Sequence, residues 1–336
     1  MRYILFIFVS LVLSCVPQSK NVSEVEVYEK DVVQRKEKIF SLGDVPANWV
    51  QGHFGYVYYI DISSDGKMMV SGGSDKYIRI WDISELPKVN QVKATRRLYQ
   101  SIWGPPVKFS KDDKYIFSGS YDFIEVFDKD LNFIDNIRIS SGGIQSIDVF
   151  DRYLVASDVN GFVYKLSFDG RKLKLEDKKK VHNDEIWKVK NVFSDKYIVT
   201  ASLDKVSKVL SLDTFNILNE LRAHAGPLEF IDSSQDKIAL FSADSYISLW
   251  DSNFRLIGKI FDEDRRDIIV GIFDRTGRYL ISGGKSCMVK IWDVETFQMK
   301  RVIKWHSNDI MAIRVSKDNK FIIVGDRDGK ISIWNF

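Results

Sequence analysis

All four histidines of the chain stand at one position of an internal repeat. An aspartate follows each of them after 20 or 22 residues, in the pairs His53 and Asp75, His182 and Asp204, His224 and Asp244, and His306 and Asp328. Six residues after each aspartate comes a large apolar side chain, namely Trp81, Leu210, Trp250 or Trp334. A fixed internal period means that one supersecondary unit is repeated along the chain, so it constrains the fold more than any other feature.

The tryptophan position marks seven units, at Trp81, Phe127, Leu166, Leu210, Trp250, Trp292 and Trp334. Successive markers lie 39 to 46 residues apart. This matches the roughly 40–45 residues of a four-stranded propeller blade. Segments such as Tyr77–Trp81 also alternate apolar and polar side chains, as half-buried strands do. The sequence therefore predicts an all-β fold, a seven-bladed β-propeller of four-stranded antiparallel blades.

The first unit carries Gly52-His53, Ser71, Asp75 and Trp81-Asp82, which together resemble the signature of the WD40 repeat family. The resemblance covers the chain from about residue 38 to residue 336. Family precedent implies a hydrogen-bonded tetrad of His53, Ser71, Asp75 and Trp81. Other units keep parts of it: His182, Thr200 and Asp204; His224, Asp244 and Trp250; His306, Asp328 and Trp334; and Ser282 with Trp292. A buried imidazole or indole N–H without a partner costs on the order of 1–3 kcal/mol.

The last unit stops at Phe336, after its third strand. The WD40 resemblance implies that the N-terminal segment supplies the missing fourth strand. We therefore expect Glu37–Leu42 to pair as the outer strand of the last blade, which removes an exposed sheet edge. The propeller domain is accordingly placed at residues 37–336.

The first residues resemble a bacterial lipoprotein signal. Arg2 precedes the apolar run Tyr3–Leu13, which is shorter than the roughly 20 residues that span a bilayer. The run ends in Val12-Leu13-Ser14-Cys15, similar to the lipobox, which implies that Cys15 carries the lipid. We expect a signal peptide at residues 1–15, a tether at 16–36, and a lipid-anchored protein on the periplasmic or surface face of the bacterial cell envelope. Ordinary secretion and an uncleaved anchor are the alternatives.

Composition and motifs favour neither nucleic-acid binding nor catalysis. The net charge is +3, and no long block of like charges occurs. Each histidine belongs to a different unit, so the four cannot converge on one metal or catalytic centre. The chain has no nucleophile elbow and no metal-ligand motif. We expect no enzymatic activity, no cofactor and no nucleic-acid partner.

One set of loops surrounds the central channel of such a propeller, and in WD40 proteins this face commonly binds peptides. The family's contact positions are the third and fifth residues after the histidine site and the residue before the aspartate site. Carried over, they are Tyr56, Tyr58, Ser74, Trp103, Tyr121, Gln145, Glu185, Trp187, Glu229, Asp267, Lys285, Asp309, Met311 and Arg327. The set is aromatic on one side and mostly acidic on the other, which favours a protein or peptide partner with basic residues. Ordinary solvated loop residues are the alternative interpretation.

The favoured function is a non-catalytic, monomeric interaction scaffold tethered to a membrane by its lipid. An envelope enzyme or small-molecule-binding propeller with its site in the channel is the first alternative. The second is an outer-membrane assembly factor, similar in architecture and location to the propeller lipoprotein of that machinery.

Overall fold

The computed structural model describes residues 45–98 and 104–336, and its regular structure there consists of β-strands. These form seven four-stranded antiparallel sheets, so the predicted seven-bladed architecture is confirmed. No helix in the described ranges is long and apolar enough to cross a membrane.

Blades 1 to 3 follow one another along the chain, each running from an inner to an outer strand. The strands of blade 1 are β2 (Val57–Ile62), β3 (Met68–Gly73), β4 (Tyr77–Asp82) and β5 (Asn90–Arg97). Those of blade 2 are β6 (Val107–Phe109), β7 (Tyr115–Gly119), β8 (Phe123–Asp128) and β9 (Phe133–Arg138). Those of blade 3 are β10 (Ile144–Val149), β11 (Tyr153–Asp158), β12 (Phe162–Phe168) and β13 (Leu173–Lys180).

Blades 4 to 7 continue the same pattern. Blade 4 has β14 (Ile186–Val192), β15 (Tyr197–Ser202), β16 (Ser207–Ser211) and β17 (Ile217–Leu221). Blade 5 has β18 (Leu228–Ser233), β19 (Lys237–Ser242), β20 (Tyr246–Asp251) and β21 (Leu256–Phe261). Blade 6 has β22 (Ile268–Phe273), β23 (Tyr279–Gly284), β24 (Val289–Asp293) and β25 (Gln298–Ile303). Blade 7 has β26 (Ile310–Val315), β27 (Phe321–Asp326), β28 (Lys330–Asn335) and β1 (Asn48–Gln51).

The strand that completes blade 7 is β1, which pairs antiparallel with β28 from Asn48 opposite Ile333 to Gln51 opposite Lys330. It lies later in the chain than the predicted Glu37–Leu42, which falls outside the described residues. The carbonyl of Gly329 accepts the N–H of His53 at 3.0 Å, so the last hairpin holds the first loop. Gly329 has φ 84°, and a Cβ there would lie 2.0 Å from the His53 carbonyl oxygen. Only glycine fits this position without strain.

The core is divided among seven buried apolar clusters, each built from two neighbouring blades. Trp81 of blade 1, for example, packs with Ile323 and Ile333 of blade 7. The inner strands of successive blades contact one another around the full circle and enclose a central channel. Each blade is therefore stabilised by its two neighbours rather than by a core of its own.

A ring of charged side chains lies inside this channel at one register position of the inner strands. Its members, called the ion ring below, are Asp61, Lys108, Asp148, Lys190, Asp232 and Arg314, while blade 6 has Ile272 at the same position. The Lys108 ammonium lies 3.2 Å from Asp61 and 3.3 Å from Asp148. Opposite charges thus alternate around the channel in every blade but the sixth.

The three aspartates of the ion ring also join blades through the backbone. Asp61 accepts the N–H of Phe109 at 3.1 Å, Asp148 that of Asn191 at 2.7 Å, and Asp232 that of Phe273 at 2.9 Å. Burial alone would raise the pKa of Asp148, but Lys108, Lys190 and the Asn191 N–H hold it at about 2. The three backbone contacts of the ring lock blade 1 to blade 2, blade 3 to blade 4 and blade 5 to blade 6.

Asp232→Asn tests the contribution of the ion ring to stability. The substitution leaves the Lys190 ammonium, 2.9 Å from Asp232, without its carboxylate. We expect the free energy of unfolding to fall by about 2–3 kcal/mol, measured by chemical denaturation. Asp236→Asn, in the exposed turn, is the control and should change it by less than about 0.5 kcal/mol. The double variant Lys190→Met/Asp232→Leu should recover most of the loss, because no unpaired charge is left. An Asp232→Asn protein as stable as the wild type would contradict this role.

Candidate functional site

The imidazole of His53 is 1% exposed and lies in a chain of hydrogen bonds that crosses blade 1. Trp81 Nε1 donates to Ser71 Oγ at 2.8 Å, and Ser71 Oγ lies 2.7 Å from His53 Nε2. His53 Nδ1 lies 2.8 Å from Asp75 Oδ1. Burial lowers the pKa of His53, so a neutral ring that donates from Nδ1 and accepts at Nε2 fits these contacts.

Asp75 connects this chain of hydrogen bonds to the loop that precedes the inner strand. Its carboxylate accepts the N–H groups of Phe54 and Tyr77, each at 3.1 Å, and pairs with Arg79 at 2.8 Å. Burial alone would raise the pKa of Asp75, but the hydrogen bonds from His53 and the two backbone N–H groups hold it at about 2. The tetrad is thus a structural device that fixes the loop.

Blade 4 repeats this geometry without a tryptophan. His182 Nε2 lies 2.7 Å from Thr200 Oγ1, and Nδ1 lies 2.8 Å from Asp204. Burial lowers the pKa of His182 as well. The hydroxyl comes from the second strand, as in blade 1.

Blades 5 and 7 take the hydroxyl from the third strand instead, which the sequence analysis missed. Ser248 accepts from Trp250 Nε1 at 2.8 Å and lies 2.8 Å from His224 Nε2. Ser332 accepts from Trp334 Nε1 at 2.8 Å and lies 3.1 Å from His306 Nε2. The signal was present as a serine two residues before the tryptophan in both blades. The hydroxyl can come from either strand because the two are adjacent in the sheet.

The carboxylate partner of His306 is Asp326, not Asp328 as the 22-residue spacing predicted. His306 Nδ1 lies 2.8 Å from Asp326 Oδ2, and Asp326 is fully buried. Asp326 also accepts the N–H groups of Asp328 and Lys330 at 3.0 and 2.9 Å. The Asp328 side chain instead binds Ser307 at 2.7 Å in the loop. Among the four blades with a histidine, blades 1, 4 and 5 have Gly73, Ser202 and Ser242 where blade 7 has Asp326, so only blade 7 of these four offers the nearer carboxylate.

Two blades without histidine use other polar groups at the same place. In blade 3, Ser140 and Tyr164 donate to Asp158 at 2.8 and 2.7 Å. In blade 6, the Lys290 ammonium binds both Asp262 and Asp264. In residues 45–98 and 104–336, no three His, Cys, Asp or Glu side chains are grouped so as to hold a metal ion.

Five of the side chains proposed from sequence to contact a partner lie at a repeated β-bulge. Six inner strands shift register at their first residues. The residues skipped by the shift are Tyr58, Gln145, Trp187, Glu229, Ile269 and Met311. A bulge re-aims a side chain away from the regular alternation of the strand. The entrance of the channel at these bulges, with the loops beside it, is called the upper face below.

The aromatic side of the upper face lies between blades 7 and 1. The rings of Tyr56 and Tyr58 meet edge to face with centroids 5.3 Å apart. The Arg327 guanidinium lies 4.7 Å from the Tyr56 ring and 3.0 Å from Asp309. Burial raises the pKa of Tyr58, so its hydroxyl stays protonated. Asp309 is already neutralised, so this side offers aromatic surface more than negative charge.

The acidic side lies in blades 4 to 6 and is less negative than the sequence suggests. Asp267 pairs with Lys285. Burial, with Asp267 nearby, raises the pKa of Glu229 to about 7. Burial also raises the pKa of Glu185, which accepts from Gln145 Nε2 at 3.2 Å. Glu229 and Glu185 are therefore the two carboxylates of this side that no Lys or Arg of the described residues pairs with.

The remaining predicted contact residues differ in exposure. Tyr121 is 38% exposed, whereas Gln145 is only 4% exposed and supports Glu185 instead of facing solvent. The indole Nε1 of Trp187 is buried without a hydrogen-bond partner among the described residues. Trp103 and Cys15 lie outside the described residues.

Comparisons with known proteins agree with this fold. The family model for the WD domain, G-beta repeat, matches residues 46–82, 264–293 and 297–335. Eukaryotic translation initiation factor 3 subunit I of Nematostella vectensis is 24% identical over 75% of this chain and 84% of its own length. Nuclear distribution protein nudF of Aspergillus niger is 26% identical over 41% of this chain, which spans only 32% of that protein. Human apoptotic protease-activating factor 1 is 23% identical over 85% of this chain and 22% of its own length. The chain thus contains WD40 repeats in a seven-bladed β-propeller, a fold typical of protein-interaction scaffolds.

Paired substitutions in blade 7 test the assignment of the His306 partner. Asp326→Asn removes a buried carboxylate from His306 and from two backbone N–H groups. It should lower the free energy of unfolding by about 2–3 kcal/mol in chemical denaturation. Asp328→Asn, in the loop, should lower it by less than about 1 kcal/mol. The reverse order of the two effects would show that Asp328 is the structural partner.

Proposed function

We propose that this chain is a non-catalytic scaffold whose upper face binds a lysine- or arginine-containing segment of another protein. The observation that carries the proposal is Glu229, a half-buried carboxylate that the bulge of β18 directs to the upper face and that no described cation pairs with. Burial of this carboxylate and repulsion from Asp267 outweigh the attraction of Lys285, so the pKa of Glu229 is raised.

A basic side chain would meet complementary groups on this face. Its charge would restore the ionised form of Glu229. Its alkyl or guanidinium part could pack on Tyr56, Tyr58 or Trp187. The contact between Arg327 and the Tyr56 ring, with Asp309 beside it, is an internal example of the same recognition.

The relatives support a binding role. One of them is named as a subunit of a translation initiation factor, and a propeller that presents several blades to one partner suits assembly better than turnover. The four histidines are held in structural hydrogen bonds, each within its own blade, so none is free to act as a general base.

The affinity for a basic partner should depend on pH through Glu229. Its pKa in the free protein is about 7, and a bound ammonium or guanidinium lowers it, so binding below pH 7 releases a proton. The dissociation constant should therefore fall from pH 6 to pH 8 and level off above about 7.5. The measurement is calorimetric titration with a partner recovered by crosslinking and mass spectrometry.

Glu229→Gln should remove this pH dependence and weaken binding at pH 8 by about tenfold, or 1.4 kcal/mol. Glu295→Gln, at an exposed position after β24, is the matched control and should change neither property. If the combined replacement of Tyr58, Trp187 and Glu229 left the partner bound as tightly as before, the upper face would not be the binding site.

We further propose that a lipid on Cys15 attaches the propeller to a bacterial membrane, on the periplasmic or surface face of the envelope. The support is the lipobox-like Val12-Leu13-Ser14-Cys15 after an apolar run. The relatives named above are eukaryotic, so this part of the proposal rests on residues 1–15 alone. A tether of residues 16–36 would leave the upper face accessible to partners in the same compartment.

Metabolic labelling with radioactive palmitate in a bacterial host tests the anchor. The wild-type chain should become labelled and partition into detergent, whereas Cys15→Ser should remain unlabelled. Cys287→Ser is the matched control, because it removes the only other cysteine. Equal labelling of the wild type and Cys15→Ser would rule out lipidation at Cys15.

A further inference from the structure

A second ring of side chains, most of them buried, lies above the ion ring on the inner segments. It contains the residues two positions earlier on each inner segment, which point to the same side because side chains alternate along a strand. We call these residues the upper ring: Tyr59, Pro106, Ser146, Lys188, Phe230, Val270 and Ala312. Lys188 is the only one of the seven that carries a formal charge.

Lys188 is 6% exposed, and its ammonium lies among aromatic rings rather than carboxylates. Its Nζ lies 4.8 Å from the centroid of the Phe230 ring and 5.8 Å from that of Tyr59. Within residues 45–98 and 104–336, Lys188 has no carboxylate partner and no hydrogen-bond acceptor for its ammonium. The Tyr59 hydroxyl donates to the Gln145 carbonyl at 2.6 Å.

The ion ring does not supply the missing charge. Its three aspartates are matched by Lys108, Lys190 and Arg314, each of which has a carboxylate oxygen within 3.7 Å. Lys188 is therefore an excess positive charge in the inner channel. Lys190 on the same strand, Lys108 on β6 and Arg314 on β26 repel its ammonium, and Asp148 on β10 attracts it.

These contacts make the charged form of Lys188 unfavourable while the upper ring holds no anion. Burial comes first, with repulsion from Lys108 and Arg314 next, and together they lower the pKa of Lys188 to about 7. A buried amine with this environment is stabilised by a counter-ion that displaces water from the ring. The Phe230 ring that faces Lys188 adds apolar surface but no charge.

We propose that the upper ring binds one carboxylate group, held by the ammonium of Lys188 between Phe230 and Tyr59. One excess cation matches one negative charge. A phosphate dianion would bring a second charge toward Asp61, Asp148 and Asp232, whose cations are already engaged. The rings of Phe230 and Tyr59 suit an apolar body attached to the carboxylate. The carboxylate can belong to a small molecule or to the C-terminus of a partner chain.

This inference does not depend on the basic partner proposed for the upper face, because it uses a different side chain and a ligand of opposite charge. The probe is benzoate, with benzamide as its neutral isostere and inorganic phosphate as the dianion, titrated calorimetrically into the intact protein at pH 6.5. We expect benzoate to bind at least tenfold more tightly than either of the other two. Equal binding of benzoate and benzamide would overturn the proposal.

Lys188→Met keeps the length and apolar character of the side chain and removes the charge. Benzoate affinity should fall at least tenfold, while benzamide binding stays unchanged. The variant should melt no lower than the wild type, because it loses a buried charge that had no carboxylate partner. Lys300→Met, which removes an exposed lysine of β25, is the control and should leave benzoate binding intact. Unchanged benzoate affinity in Lys188→Met would overturn the proposal.

The pH dependence gives an independent readout. Above pH 7 the free amine is mostly neutral, so carboxylate binding must take up a proton, and wild-type affinity should fall about 10- to 30-fold between pH 6.5 and 8.5. Lys188→Met should show no such fall. An affinity that rises or stays constant in the wild type would contradict the role of Lys188. A peptide that ends in phenylalanine, compared with the same peptide as its C-terminal amide, distinguishes a small-molecule carboxylate from the C-terminus of a partner chain. If the free-acid peptide binds more tightly than benzoate and the amide does not, the ligand is a partner's C-terminus.

Discussion

The antiparallel pairing of β1 with β28 is the constraint on which the rest of the structure depends. A four-stranded blade has two apolar faces and no core of its own, and here each of the seven apolar clusters belongs to two blades. Without β1, blade 7 would have three strands and an open edge. Because β1 leads directly into blade 1, the same pairing also brings His53 to Gly329 and sets the position of the first loop.

The charged side chains of the ion ring follow the same circular order of blades. The odd number of blades limits how their charges can alternate. Strict alternation of charge cannot close around seven positions, since two like charges would become neighbours. Ile272 occupies the sixth position, and the alternation then resumes with Arg314 next to Asp61. One neutral residue thus allows three cations and three anions to balance. This balance is also what identifies Lys188, in the upper ring, as an unmatched charge.

The sequence predicted those features that depend on period and composition. The spacing of the tryptophan position was sufficient to predict the seven blades. The family resemblance was sufficient to predict the tetrad of His53. The remaining features depend on side-chain direction, which a period does not contain. Asp326 and Asp328 are two residues apart on the same hairpin, and only the fold shows which carboxylate is buried beside His306. The bulges that direct Tyr58 and Glu229 leave no mark in the sequence, and Asp61 or Lys190 looks like any polar residue of a strand.

Burial raises the pKa of Glu229 and lowers the pKa of Lys188. The two residues lie in adjacent blades. The pKa of each is about 7 because the charged form of each is disfavoured. A cation that binds at Glu229 favours the carboxylate and releases a proton, whereas an anion that binds at Lys188 favours the ammonium and takes one up. A ligand that engaged both would exchange almost no protons with solvent. The sign of proton exchange on binding, read from calorimetry in buffers of different ionisation enthalpy, therefore shows which of the two side chains a ligand has reached.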